Sequence, residues 1–150
     1  MSQITERTLA DADHAVVTVT DGGNRYRREP CPDCPWRIDS VGVFPAEAFR
    51  LAANAGLESL ETSIHDLSAG TRNFGCHSSG PGKTATCAGY ILKGQGSIGW
   101  RLALATGKFD PAKVRSEVPL FCSYFDMAVA NGVPADDPAL DGCRPWRTTT

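Results

Sequence analysis

The residues here that could do chemistry are six cysteines: Cys31, Cys34, Cys76, Cys87, Cys122 and Cys143. Cys31-Pro32-Asp33-Cys34-Pro35-Trp36 is a C-x-x-C flanked by prolines. At that spacing two sulfurs reach one ion, and the prolines restrict the loop before it closes on metal. Forty-one residues lie between Cys34 and Cys76, and ten between Cys76 and Cys87. Two sulfurs on a tight knuckle, one on a loop and one at a helix start fit a tetrahedral structural site. The spacing therefore points to one metal held by Cys31, Cys34, Cys76 and Cys87. Zinc (Zn2+) is the first choice and an iron–sulfur cluster the alternative, because thiolates suit both. Cys87 is expected in the first turn of its helix, where the positive end of the dipole favours thiolate.

His77 follows Cys76 directly. Neighbours in an extended segment point to opposite sides, so only one of them is expected on the ion; Cys76 is preferred and His77 is its rival. Thiolates on zinc leave excess negative charge, which Arg28, Arg37 and Lys83 are placed to offset.

Other chemistries fit less well. A thioredoxin-like pair needs a strand before the motif and a helix from the second cysteine. Pro35 and the irregular stretch to Gly42 argue against that reading. Adjacency of Cys76 and His77 is poor support for a nucleophile with its base, because such pairs meet in space rather than in sequence. Gly94-Gln95-Gly96-Ser97-Ile98-Gly99 spells a dinucleotide fingerprint, but no strand follows Gly107 and no acidic residue is well placed beyond it. Arg25, Arg27, Arg28 and Arg37 surround Tyr26 and Trp36, while Arg144 and Arg147 flank Trp146. Such clusters can hold single-stranded nucleic acid, but with a net charge of −2 cation–π packing on a solvated face explains them better.

Cys31-Pro-x-Cys-Pro-Trp-Arg, Val43-Phe44-Pro45, Phe74-Gly75-Cys76-His77 and Cys87-Ala88-Gly89 together resemble a family of small phage and actinobacterial proteins of unknown function. The resemblance runs from Pro30 to Asp110. It implies that these motifs belong together, and it implies no reaction. Cys122 and Cys143 lie outside it. Cys122, between Phe121 and Tyr124, reads as a small core residue of a helix.

The elements that must position these groups follow from local signals. His14–Thr20 reads as a strand, with Asp21-Gly22-Gly23-Asn24 turning it into a return strand at Arg25–Glu29. Residues 1–12 and 133–150 are expected to be loose. A helix is predicted from Pro45 to Asn54 and stopped by Gly56, and a second from Leu57 to Leu67. Cys87, Ile91, Ile98, Leu102 and Ala105 share a helical face ending at Gly107, with Gly94, Gly96 and Gly99 inviting a break. Asp110-Pro111 starts a short turn, and a last helix is predicted over Ser116–Asn131, closed by Gly132. The expected fold is α+β: one small domain with an N-terminal hairpin and four or five helices around the cysteine site.

Composition bounds the function. Hydrophobic residues at 41% and charged residues at 21% fit a globular chain. A net charge of −2 argues against a sequence-blind grip on nucleic acid. No apolar run approaches a membrane span, and the first residues lack the pattern of a secretion signal, so a cytoplasmic protein is expected. In a reducing compartment such a cysteine density favours metal binding over a disulfide scaffold. The sequence thus points to a small metal-binding module with zinc in a structural role, partnered by an unidentified protein or nucleic acid. An iron–sulfur or thiol redox enzyme using the same cysteines is the second reading, and a nucleic-acid-binding accessory protein the third.

Overall fold

A computed structural model describes residues 3–12, 14–20, 24–58, 74–75 and 85–143. The predicted helix over Leu57–Leu67 falls largely outside these residues, as do Cys76, His77, Lys83 and Trp146.

At the N-terminus, β1 (Gln3–Leu9) pairs antiparallel with β2 (Ala15–Thr20), with an irregularity between Ile4 and Glu6. The expected strand at His14–Thr20 is therefore present, but its partner is the segment expected to be loose. The turn between them decides this. Asp11 accepts the His14 backbone N–H at 2.8 Å, and the Ala10 N–H reaches the His14 carbonyl at 2.9 Å. An aspartate that hydrogen-bonds the backbone just downstream is a turn-former in its own right. The expected return strand goes elsewhere: Tyr26 makes a parallel bridge with Thr86.

Four α-helices are described: α1 (Ala46–Leu51), α2 (Ala88–Lys93), α3 (Ile98–Ala105) and α4 (Tyr124–Ala130). Pro45 caps α1, and a 3-10 turn carries the chain on through Ala53–Gly56. The long helix predicted beyond Cys87 is broken in two. Ser97 caps α3 by accepting the Trp100 N–H at 3.1 Å, so the Gly94–Ser97 turn is a junction between helices rather than a phosphate loop. A helix, not a strand, precedes it, which removes the dinucleotide reading.

The last helix is shorter than predicted. Ser123, itself extended, caps it by accepting the Asp126 N–H at 3.1 Å, and residues 116–122 ahead of it are not helical. Leu120 bridges Arg37, and the Phe121 N–H donates to the Trp36 carbonyl at 2.9 Å. Both side chains kept helical spacing without being helical. Gly107 and Gly132 end α3 and α4 with φ of 74° and 105°, where a side chain would be strained.

These elements close on one hydrophobic cluster in which Trp36 is central. Its ring meets Phe74, Tyr90 and Tyr124 at centroid distances of 5.9, 6.2 and 6.1 Å. A side chain on Gly89 would meet Trp36 Cγ at 2.6 Å, so glycine at this position lets α2 seat against the indole. The Tyr124 hydroxyl donates to the Phe49 carbonyl at 2.7 Å and ties α4 to α1. The segment after Gly132, expected to be loose, packs inward as far as it is described: Val133, Ala139, Leu140 and Cys143 are buried.

Cys143 carries a testable consequence of that burial. Its thiol donates to the Ala53 carbonyl at 3.5 Å, and burial pushes it up to about 12. The unfolded chain gives up this proton at about pH 8.5. Between those values the folded state holds a proton that the unfolded state has lost, so stability falls as pH rises, by about 1.4 kcal/mol per unit. Urea unfolding of wild type and Cys143→Ala between about pH 8 and pH 10 is expected to show the steeper alkaline decline in wild type. Equal slopes would refute this role.

Candidate metal centre

Cys31-Pro32-Asp33-Cys34 forms a tight turn in which the Cys34 N–H donates to the Cys31 carbonyl at 3.1 Å. The chain turns again at once, with the Arg37 N–H on the Cys34 carbonyl at 3.0 Å. Prolines on either side of Cys34 suit this double turn, because their fixed φ needs little ordering. The result buries Cys34 and Trp36 completely while Cys31 stays half-buried.

Cys87 arrives from the other side. The Cys87 N–H donates to the Phe74 carbonyl at 2.9 Å, and Gly75 pairs antiparallel with Thr86. On the opposite edge the Thr86 N–H donates to the Arg25 carbonyl at 2.9 Å and the Arg27 N–H to the Thr86 carbonyl at 3.0 Å. Thr86 is thus fixed on both sides, and Cys87 next to it caps α2. Its sulfur lies 3.6 Å from that of Cys34, although 53 positions separate them in sequence.

The two thiols are unlike each other. The hydrogen bond with Cys87, helped by the backbone N–H groups of Trp36, Gly89 and Arg37 and opposed by burial, lowers the Cys34 thiol to about 7. For Cys87 the hydrogen bond with Cys34 and burial both act the other way and hold the thiol well above its ordinary value. These opposite directions favour Cys34 over Cys87 as the site of any negative charge. Burial opposes the help that the helix start was expected to give a Cys87 thiolate: Cys87 is 3% exposed, on a helix of only six residues.

Of the cations expected to offset that charge, Arg37 is close enough to feel Cys34 and Cys31. It is held by Asp39 through two bonds of 2.7 Å, so its charge is largely neutralised locally. Among the described residues no three His, Cys, Asp or Glu side chains converge closely enough to hold an ion. The structure brings together two of the four expected ligands, Cys34 and Cys87. Cys31 lies on the adjoining turn, and Cys76 lies outside the described residues next to Gly75.

Two further expectations change. Cys122 is not on a helix; it precedes α4, half-buried, on the wall of a cleft of about 320 Å³ shared with Glu58, Tyr90, Lys93 and Ser97. Trp36 is fully buried and so cannot stack on a base, which takes the central aromatic out of the arginine–aromatic surface. Sequence reasoning missed Thr86 and Phe74, whose backbones place Cys87. Phe74 had a visible signal in the Phe74-Gly75-Cys76 motif, whereas Thr86 had none.

What emerges is a small, helix-dominated protein built around a buried thiol pair that joins distant segments. The chain belongs to a family of unknown function (DUF6283), whose model matches residues 26–144. That span reaches well past Asp110 and takes in Cys122 and Cys143. No curated protein and no solved structure matches this chain. No helix among the described residues is long and apolar enough to cross a membrane.

Proposed function

We propose that this chain is a metal-binding module in which Cys31, Cys34, Cys76 and Cys87 hold one zinc ion in a structural role. The observation that carries the reading is the 3.6 Å contact between the Cys34 and Cys87 sulfurs. Tetrahedral zinc with bonds of about 2.3 Å sets neighbouring sulfurs about 3.8 Å apart. The pair is therefore already near the separation that two ligands on one ion require. Zinc would take the place of the shared proton and draw both sulfurs into the thiolate form. The backbone N–H groups that support Cys34 would stay as donors to its sulfur and help to hold it in place.

Elemental analysis of the full chain purified without oxygen tests this. About one zinc per chain is expected. Iron with sulfide and a visible absorption band would instead favour the cluster, and no metal at all would sink the reading. A second comparison addresses the fourth ligand. Cys76→Ser is expected to lose the metal and His77→Ala to keep it; the opposite result would exchange their roles.

A further inference from the structure

We propose that Cys34 and Cys87 form a modification site: hydrogen peroxide oxidises them to a disulfide that links the first cysteine turn to the start of α2. The usual expectation for a C-x-x-C is a bond within the motif. Here the Cys34 sulfur lies against Cys87, 53 positions away, at 3.6 Å. A disulfide needs sulfurs at about 2.05 Å, so roughly 1.5 Å of approach completes it.

The chemistry balances without a further reactant. The Cys34 sulfur attacks one peroxide oxygen and the O–O bond breaks, leaving a sulfenic acid and one water. The Cys87 sulfur then attacks the Cys34 sulfur, the S–S bond forms, the S–O bond breaks, and a second water leaves with the Cys87 proton. The thiols lose two electrons and two protons in total, and the peroxide takes both.

Burial shapes the outcome. Cys34 is 0% and Cys87 3% exposed, so the oxidant enters through local opening and the reaction is slow. The same burial keeps a second peroxide from the sulfenic acid while the Cys87 sulfur already touches it. Oxidation therefore stops at the disulfide instead of climbing to the irreversible acids. The inference rests on thiol geometry and not on the zinc reading, but the two meet: a disulfide removes two sulfurs from any metal, so bound metal and disulfide exclude each other.

The full chain as purified is treated with hydrogen peroxide, then digested without reductant and mapped by mass spectrometry, with metal content followed in parallel. A Cys34–Cys87 cross-linked peptide is expected, with two of the six thiols lost, and metal leaving in step if any was present. Cys31→Ser is expected to keep the cross-link. A Cys31–Cys34 bond, sulfinic acid on Cys34, or intact Cys34 and Cys87 thiols would each overturn the proposal. Thiols that survive while zinc stays bound would leave the zinc reading standing. A cross-link in a chain that never held metal would do the reverse.

Discussion

With the proposed zinc bound by the cysteines, chelation under reducing conditions is expected to lower the melting temperature by about 10 °C. Structural zinc sites in small peptides bind with about 10–16 kcal/mol, while a whole domain is stable by about 5–15 kcal/mol. Even about 4 kcal/mol of that binding coupled to folding corresponds to about 8–16 °C, at about 2–4 °C per kcal/mol for a chain of this length. The coupling is expected because the two sulfurs sit in the core itself: Cys34 and Cys87 belong to the same buried cluster as Trp36, Tyr90 and Ile91. Without the proposed ion, two buried sulfurs are left against each other where water cannot solvate them. Calorimetry with and without chelator decides the matter, and a shift within a degree or two would end the structural role.

The second large effect belongs to Trp36. Replacing it with alanine is expected to cost about 3–5 kcal/mol, the range for deleting a fully buried aromatic side chain. The ring supports three aromatic neighbours and fills the space that Gly89 leaves open, so little can collapse into the hole. The indole Nε1 is buried and has no hydrogen-bond partner among the described residues. An unsatisfied buried donor costs about 1–3 kcal/mol, so Trp36→Phe removes a penalty together with part of the volume. The phenylalanine variant is therefore expected to be much less destabilised than the alanine variant. Urea denaturation of the three proteins measures this. Equal losses in both variants would mean that the indole is held by something other than shape.

The sequence announced some of this architecture and concealed the rest, for identifiable reasons. Asp110-Pro111, Gly107 and Gly132 act locally, and each stands where its backbone chemistry placed it. The helix predicted from Ser116 failed because Leu120 and Phe121 pair through their backbones with Arg37 and Trp36, a distant contact that mimics helical spacing. The true start was written locally in Ser123 with Asp126 three positions on, a capping pattern that outranks periodicity. The N-terminal strand was legible, but its partner depended on which of two turns formed, and both had plausible turn residues. At the site, cysteine spacing identified the two sulfurs that meet. Which of them is the more acidic was not legible, because that depends on their mutual contact and on backbone N–H groups of Trp36, Gly89 and Arg37 at Cys34.

The way Thr86 is pinned between two distant segments bears on the order of folding. Its partners lie at Arg25 and Arg27 on one side and Gly75 on the other, and Arg28 and Arg115 are joined in the same manner. Each stitch closes a long loop, and loop-closure entropy must be overcome before the contact returns anything. Chains rich in such non-local pairings fold more slowly than bundles of local helices. The short helices can flicker into place early, but the cysteine turn and the start of α2 meet only when the far-apart strands have found Thr86. The thiol pair is thus expected to form late in folding, after these long loops have closed.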